Sequence, residues 1–129
     1  MNNVDTAIYQ TLASNAALML TATGVYYGVA PQGKVLPYVI FAKQSETDHY
    51  VFQGRICVEM MYLIKVVGKG SSIEAIRDAY NLVDIAVNNK RLALGVLQCR
   101  RESGLEYLED DNGIIYYHVG GLYRLLVVP

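Results

Sequence analysis

Gly68-Lys69-Gly70-Ser71 is the first run to test for chemistry. Glycine and lysine just ahead of a helix could hold a phosphate, because helix N-termini present free N–H groups to anions. The nucleotide-binding phosphate loop requires G-x-x-x-x-G-K-[ST]. Here Gly70 follows Gly68-Lys69, and Leu63 stands where the first glycine belongs. The run reads as a helix entry. His49 and His118 sit in no H-E-x-x-H or H-x-H pattern, and Cys57 and Cys99 form no C-x-x-C, so the spacing supports no metal site. Glu106, Glu109, Asp110 and Asp111 cluster, but without the D-x-[DN]-x-[DN]-G register of a calcium loop. They read as a solvated hairpin tip, with contact to a basic partner as the alternative. Ser14, Ser45, Ser71, Ser72 and Ser103 lie in no G-x-S-x-G context. Nothing here predicts an enzyme, and no cofactor is implied.

The elements that would position these residues must come from a chain of 129 residues, a length that fits one domain spanning 1–129. Hydrophobic residues make up 53% and charged residues 18%, which excludes a disordered chain. Eleven Lys and Arg against twelve Asp and Glu leave no basic excess for general nucleic-acid binding. Eleven Tyr, two Phe and no Trp suggest that some apolar surface is meant for partners. The N-terminal ten residues carry Asp5 and no Lys or Arg, unlike a signal peptide. No run approaches the ~18 apolar residues of a membrane helix. The two cysteines read as small buried hydrophobes, and the chain as one made in a reducing cytosol.

Asn3 can cap a first helix running to about Ser14, with Val4, Ala7, Ile8, Thr11 and Leu12 on one face. A looser stretch with a short extra turn leads to a strand over 25–29. Pro31, Gln32 and Gly33 build a turn, since Pro fixes one φ and Gly allows a positive one. A second strand covers about 36–46, with Pro37 at its start. Residues 48–54 read as a polar connection. The third strand, 55–67, alternates: Ile56, Val58, Met60, Tyr62, Ile64 and Val66 form an apolar face. Its other face mixes Arg55, Cys57, Glu59, Met61, Leu63 and Lys65. Ser71 with Glu74 suggests a capping box. The helix it opens buries Ile73, Ile76, Tyr80, Val83 and Val87, and leaves Ile85 alone on its polar side. A fourth strand covers about 95–102, with a polar stretch after it. Asn112-Gly113 suits a type I′ hairpin turn, and a last strand runs from 114 to 128. Gly120-Gly121 inside it predicts a bulge or a close backbone approach. The order α-β-β-β-α-β-β predicts an α+β fold. Its sheet is antiparallel or mixed, of four to five strands, with two main helices on one face.

Two stretches are more specific. Val25-Tyr26-Tyr27-Gly28-Val29-Ala30-Pro31-Gln32-Gly33, then Leu36-Pro37-Tyr38-Val39-Ile40-Phe41, resembles the opening signature of the DUF3168 family. Tyr117-His118-Val119-Gly120-Gly121-Leu122-Tyr123-Arg124 resembles its closing motif. That family comprises tail completion or tail terminator proteins of long-tailed phages and prophages. The resemblance implies a non-enzymatic, phage tail-terminator-like α+β protein that forms a ring, typically hexameric. The ring caps the head-proximal end of the tail tube, stops its polymerisation and joins it to the head connector. The implied location is the virion tail, after assembly in the host cytoplasm. The implied partners are further copies of the chain, the tail-tube protein and the head connector, with DNA passing through the lumen unbound and no membrane involved. The matched Pro31, Gln32, Gly33, Pro37, Gly120, Gly121, Tyr123 and Arg124 imply turn geometry, strand entry and sheet packing. A partner contact stays open for Gln32, Tyr123 and Arg124.

Such a ring closes through head-to-tail contacts, which need apolar area. The candidate subunit interface residues are Tyr50 and Phe52 in the 48–54 connection, Met61 and Leu63 on the mixed strand face, and Ile85 on the helix. Two rival readings stand beside this one. A head–tail stopper or neck protein shares the joining role with different partners. A small-ligand-binding α+β domain would show a deep pocket with convergent polar groups.

Overall fold

In the computed structural model, which describes residues 2–70 and 72–129, Asn2 rather than Asn3 caps the first helix. The Asp5 N–H donates to Asn2 Oδ1 at 2.8 Å, and the Asp5 carboxylate accepts from the Asn2 N–H at 3.4 Å. This reciprocal box starts α1 (Asn3–Ala13). The extra turn is α2 (Ala16–Met19), followed by β1 (Val25–Tyr27). Gly28, at φ +77°, ends β1 two residues early. The Pro31 turn forms as expected: the Lys34 N–H donates to Pro31 O at 3.3 Å, and Gly33 takes φ +84°.

The remaining elements are β2 (Tyr38–Val51), β3 (Gly54–Lys69), α3 (Glu74–Val87), β4 (Val96–Asp111) and β5 (Ile114–Val127). They form one five-stranded sheet in the order β1-β2-β3-β5-β4. β1 runs parallel to β2, and every other pair is antiparallel. The fold is therefore α+β with a mixed sheet. The helices share one side of it. A single buried cluster holds Ile8 and Leu12 of α1, Leu18 of α2, Val83 and Val87 of α3, and side chains from all five strands.

Three expectations are corrected. Residues 48–54 are not a connection: β2 continues to Val51 and turns at Phe52-Gln53 directly into β3. The polar stretch after residue 102 is likewise strand, and β4 runs unbroken to the hairpin turn. Both stretches are exposed on their two faces, so their sequence has no apolar alternation to mark it. Ile56 continues the period of the β3 apolar face but is exposed, because it lies beyond the end of β5. The Ser71 capping box involves a residue outside the described ones; α3 begins at Glu74, whose N–H donates to Ser72 Oγ at 3.3 Å.

The turn and the paired glycines of the last hairpin both resolve. Asn112 and Gly113 take φ +53° and +86°, both positive as a type I′ turn needs. At Gly120-Gly121 the pairing with β3 is unbroken, so close approach rather than a bulge explains the glycines. A Cβ on Gly120 would lie 2.5 Å from Ile64 O. The register shift nearest them sits instead on β4, between Arg101 and Ser103.

Candidate functional site

Tyr123 sits under the helix layer, fully buried. Its hydroxyl donates to Asp84 Oδ1 at 2.7 Å and lies 2.6 Å from the Tyr80 hydroxyl. Burial and then these two partners push its pKa well above the ordinary tyrosine value. A second such anchor joins α1 to β3: the Tyr62 hydroxyl donates to the buried Asp5 carboxylate. Burial and this hydrogen bond raise the Tyr62 pKa too. Neither Asp5 nor Asp84 is legible as an anchor from sequence, since each looks like an ordinary helix-surface acid. Tyr123 thus packs within the chain. Cys99 is buried beside this layer, its thiol pushed up to about 12 by burial, while Cys57 is half-buried and also free.

Among the described residues, no helix lies over the opposite side of the sheet. Met61 and Leu63 lie half-buried at its centre, paired across the strands with Arg124 and Leu122 of β5. Ala42 flanks Leu63 on β2, and Leu126 flanks Glu59 on β5. Ile40, on this same side, is buried by its neighbours. Two polar groups border the apolar centre. At one end Glu59 joins His49 at 3.0 Å and Arg124 at 2.7 Å, and Arg124 reaches Glu102 at 2.9 Å. Arg124 of the closing motif is therefore held in an ion-pair chain on the open face. At the other end the His118 ring stacks on Tyr107 at 4.4 Å, with Lys65 Nζ donating to the Tyr107 hydroxyl at 2.8 Å. Glu109 meets His118 Nε2 at 2.9 Å.

The two stretches that carry the sequence resemblance come together here. Tyr38 and His118 flank Val67 from either side, so β2 and β5 bring the motifs to one end of the sheet. Pro31, Gln32 and Gly33 stay exposed in their turn, and Pro37 is half-buried just before β2.

The structure does not gather the five candidate contact residues into one patch. Tyr50 and Phe52 occupy the tip of the β2–β3 hairpin, both exposed. Met61 and Leu63 lie on the open face, whereas Ile85 is exposed on α3, across the sheet from them. The β2–β3 hairpin projects past the end of β5 at the Val58–Val127 pair, and the β4–β5 hairpin projects past the end of β3 at Lys69–Tyr116. The two arms therefore point from opposite ends of the sheet.

The hollows offer little to a small ligand. One of about 520 Å³ lies between α3 and β4. Three of its charges already satisfy one another: Arg77 donates to both Glu106 oxygens at 2.8 Å and to Glu74 at 2.7 Å. These hydrogen bonds hold the Arg77 pKa high and the Glu106 pKa low. Among the described residues, no three His, Cys, Asp or Glu side chains converge on a metal-sized point.

No protein-family model matches this chain, and no curated protein matches it. The structure is similar to a chain in the virion of a native gene transfer agent (GTA) particle, with a TM-score of 0.75. The likeness covers 95% of this chain and 94% of that one at 20% sequence identity. At that identity it shows a shared fold, and the DUF3168 resemblance rests on the sequence motifs.

Proposed function

We propose that this chain is a structural component of a phage-like particle. In our reading it acts as a tail terminator: copies close into a ring, hexameric by the sequence resemblance, at the head-proximal end of the tail tube. The ring ends tube growth and offers its far side to the head connector. The observation that carries this reading is the end-to-end likeness to a virion chain of nearly the same extent. The DUF3168-like motifs narrow it to tail completion. The uncovered sheet face supplies a physical motive, since half-buried apolar side chains on an open face gain about 25 cal/mol for each Å² a partner removes from water.

Head-to-tail closure uses two different surfaces of each copy. Tyr50 and Phe52, Met61 and Leu63, and Ile85 provide such surfaces on different sides of the molecule. Met61→Arg and Leu63→Glu test the reading, because both side chains point away from the helix-covered core. Native mass spectrometry of the wild type is expected to give a ring. The two variants are expected to give folded monomers by circular dichroism. Rings from both variants would remove the open face from the subunit interface. Capture of the wild type by purified tail-tube subunits is expected. Capture by connector rings alone would replace the terminator role with that of a stopper.

A further inference from the structure

Two stretches of sheet edge lack a partner among the described residues. β1 covers β2 only at Val39, Ile40 and Phe41, with the Gly28 N–H and the Tyr27 hydroxyl extending the cover to Lys43. From Lys43, engaged there through its N–H alone, the outer side of β2 is bare to residue 51. On the other edge, the loop after α3 covers the start of β4. Asn89 and Lys90 hydrogen-bond with Cys99, and Asn88 Oδ1 accepts from the Arg101 N–H at 2.9 Å. From residue 102 to residue 111 the outer side of β4 is bare.

A long bare edge is a template for another strand. The ends of these stretches, 49–51 and 110–111, lie on the two arms, and a lone two-stranded ribbon is marginally stable in water. The geometry selects the partner. β2 opposes β3, β3 opposes β5 and β5 opposes β4, so β2 and β4 run in opposite directions. A second copy generated by rotation about a ring axis therefore brings its β2 antiparallel to the first copy's β4. The two edges also match in extent, at nine and ten residues by the numbering above.

Their levels are offset. The bare part of β2 runs beside β3 from Tyr62 to Gly54, whereas that of β4 begins level with Leu63 and extends past Lys69. Joining them tilts the strands away from the ring axis, as strands tilt and stagger in any sheet that closes on itself.

We propose that residues 102–111 of β4 pair antiparallel with residues 43–51 of β2 in a second copy of this chain, making one continuous sheet around the ring. The proposal rests on the ring reading above and adds its backbone geometry. A ring must turn at each joint. Turning toward the open face carries the neighbour's arm, with Tyr50 and Phe52, toward Met61 and Leu63.

Amide hydrogen exchange of the wild-type chain, read by mass spectrometry at dilute and concentrated protein, tests it without a variant. Both 43–51 and 102–111 are expected to exchange at least about tenfold more slowly in the oligomer than in the monomer. A ring in which both segments keep exchanging at the monomer rate overturns the edge pairing and leaves the ring reading intact. Protection of only one segment overturns it in favour of a two-fold edge contact. A chain that stays monomeric at every concentration also overturns the edge pairing, because complementary edges need no tube to associate, and leaves standing only the reading of a ring that forms on the tube by other contacts.

Discussion

The Tyr123 hydroxyl is placed where water cannot replace it. Removing it by Tyr123→Phe leaves Asp84 and Tyr80 short of a buried partner, which should cost about 1–3 kcal/mol by urea denaturation. The buried tyrosines also set a pH limit. Tyr62, Tyr80 and Tyr123 all have pKa values raised chiefly by burial, so the folded chain favours their protonated forms. Their contribution is complete below the unfolded tyrosine value of about 10 and is lost progressively as pH rises above it toward the raised folded-state values. Cys99, raised to about 12, acts in the same direction and begins to do so from the lower thiol value. Urea midpoints should therefore fall from about pH 9 upward and more steeply above about pH 10, with a shallower fall in Tyr123→Phe.

Gly121 lets β5 lie against both α3 and β4. A Cβ there would run into the Tyr80 hydroxyl and lie 2.9 Å from Ser103 O. Gly121→Ala should cost about 1–3 kcal/mol, seen as a melting temperature several degrees lower by calorimetry. Where a strand has one buried and one open face, its sequence declares it: β3 from Val58 to Val66 and β5 from Val119 to Val127 follow their alternation into the core. The exposed ends of β2 and β4 are the counter-case. Residues 47–51 and 103–111 are strand because a neighbouring strand satisfies their backbone, and nothing buries their side chains in the isolated chain. Hydropathy cannot mark an element whose core is another molecule or none. The same reason hides much of the candidate site. Met61 and Leu63 are legible as the off-period apolar residues of β3. The ion-pair chain through Glu59, Arg124 and Glu102 needs the register of three strands before it can be seen.

At the scale of the whole molecule, ion pairs on the open face are half-exposed and contribute little each, whereas backbone pairing and apolar contact are not screened by salt. The mass of the assembled ring by light scattering should therefore hold between about 0.1 and 1 M sodium chloride. Dissociation over that range would mean that exposed charges hold the copies together. One feature of the sheet also has a mechanical side. β3 and β5 are joined over twelve consecutive residue pairs, and the two arms leave that central pair from opposite ends. A pull that draws the arms apart along the strands loads all those hydrogen bonds together in shear and does not peel them one by one. In the ring proposed above, tension between neighbouring copies would pass through this twelve-pair seam.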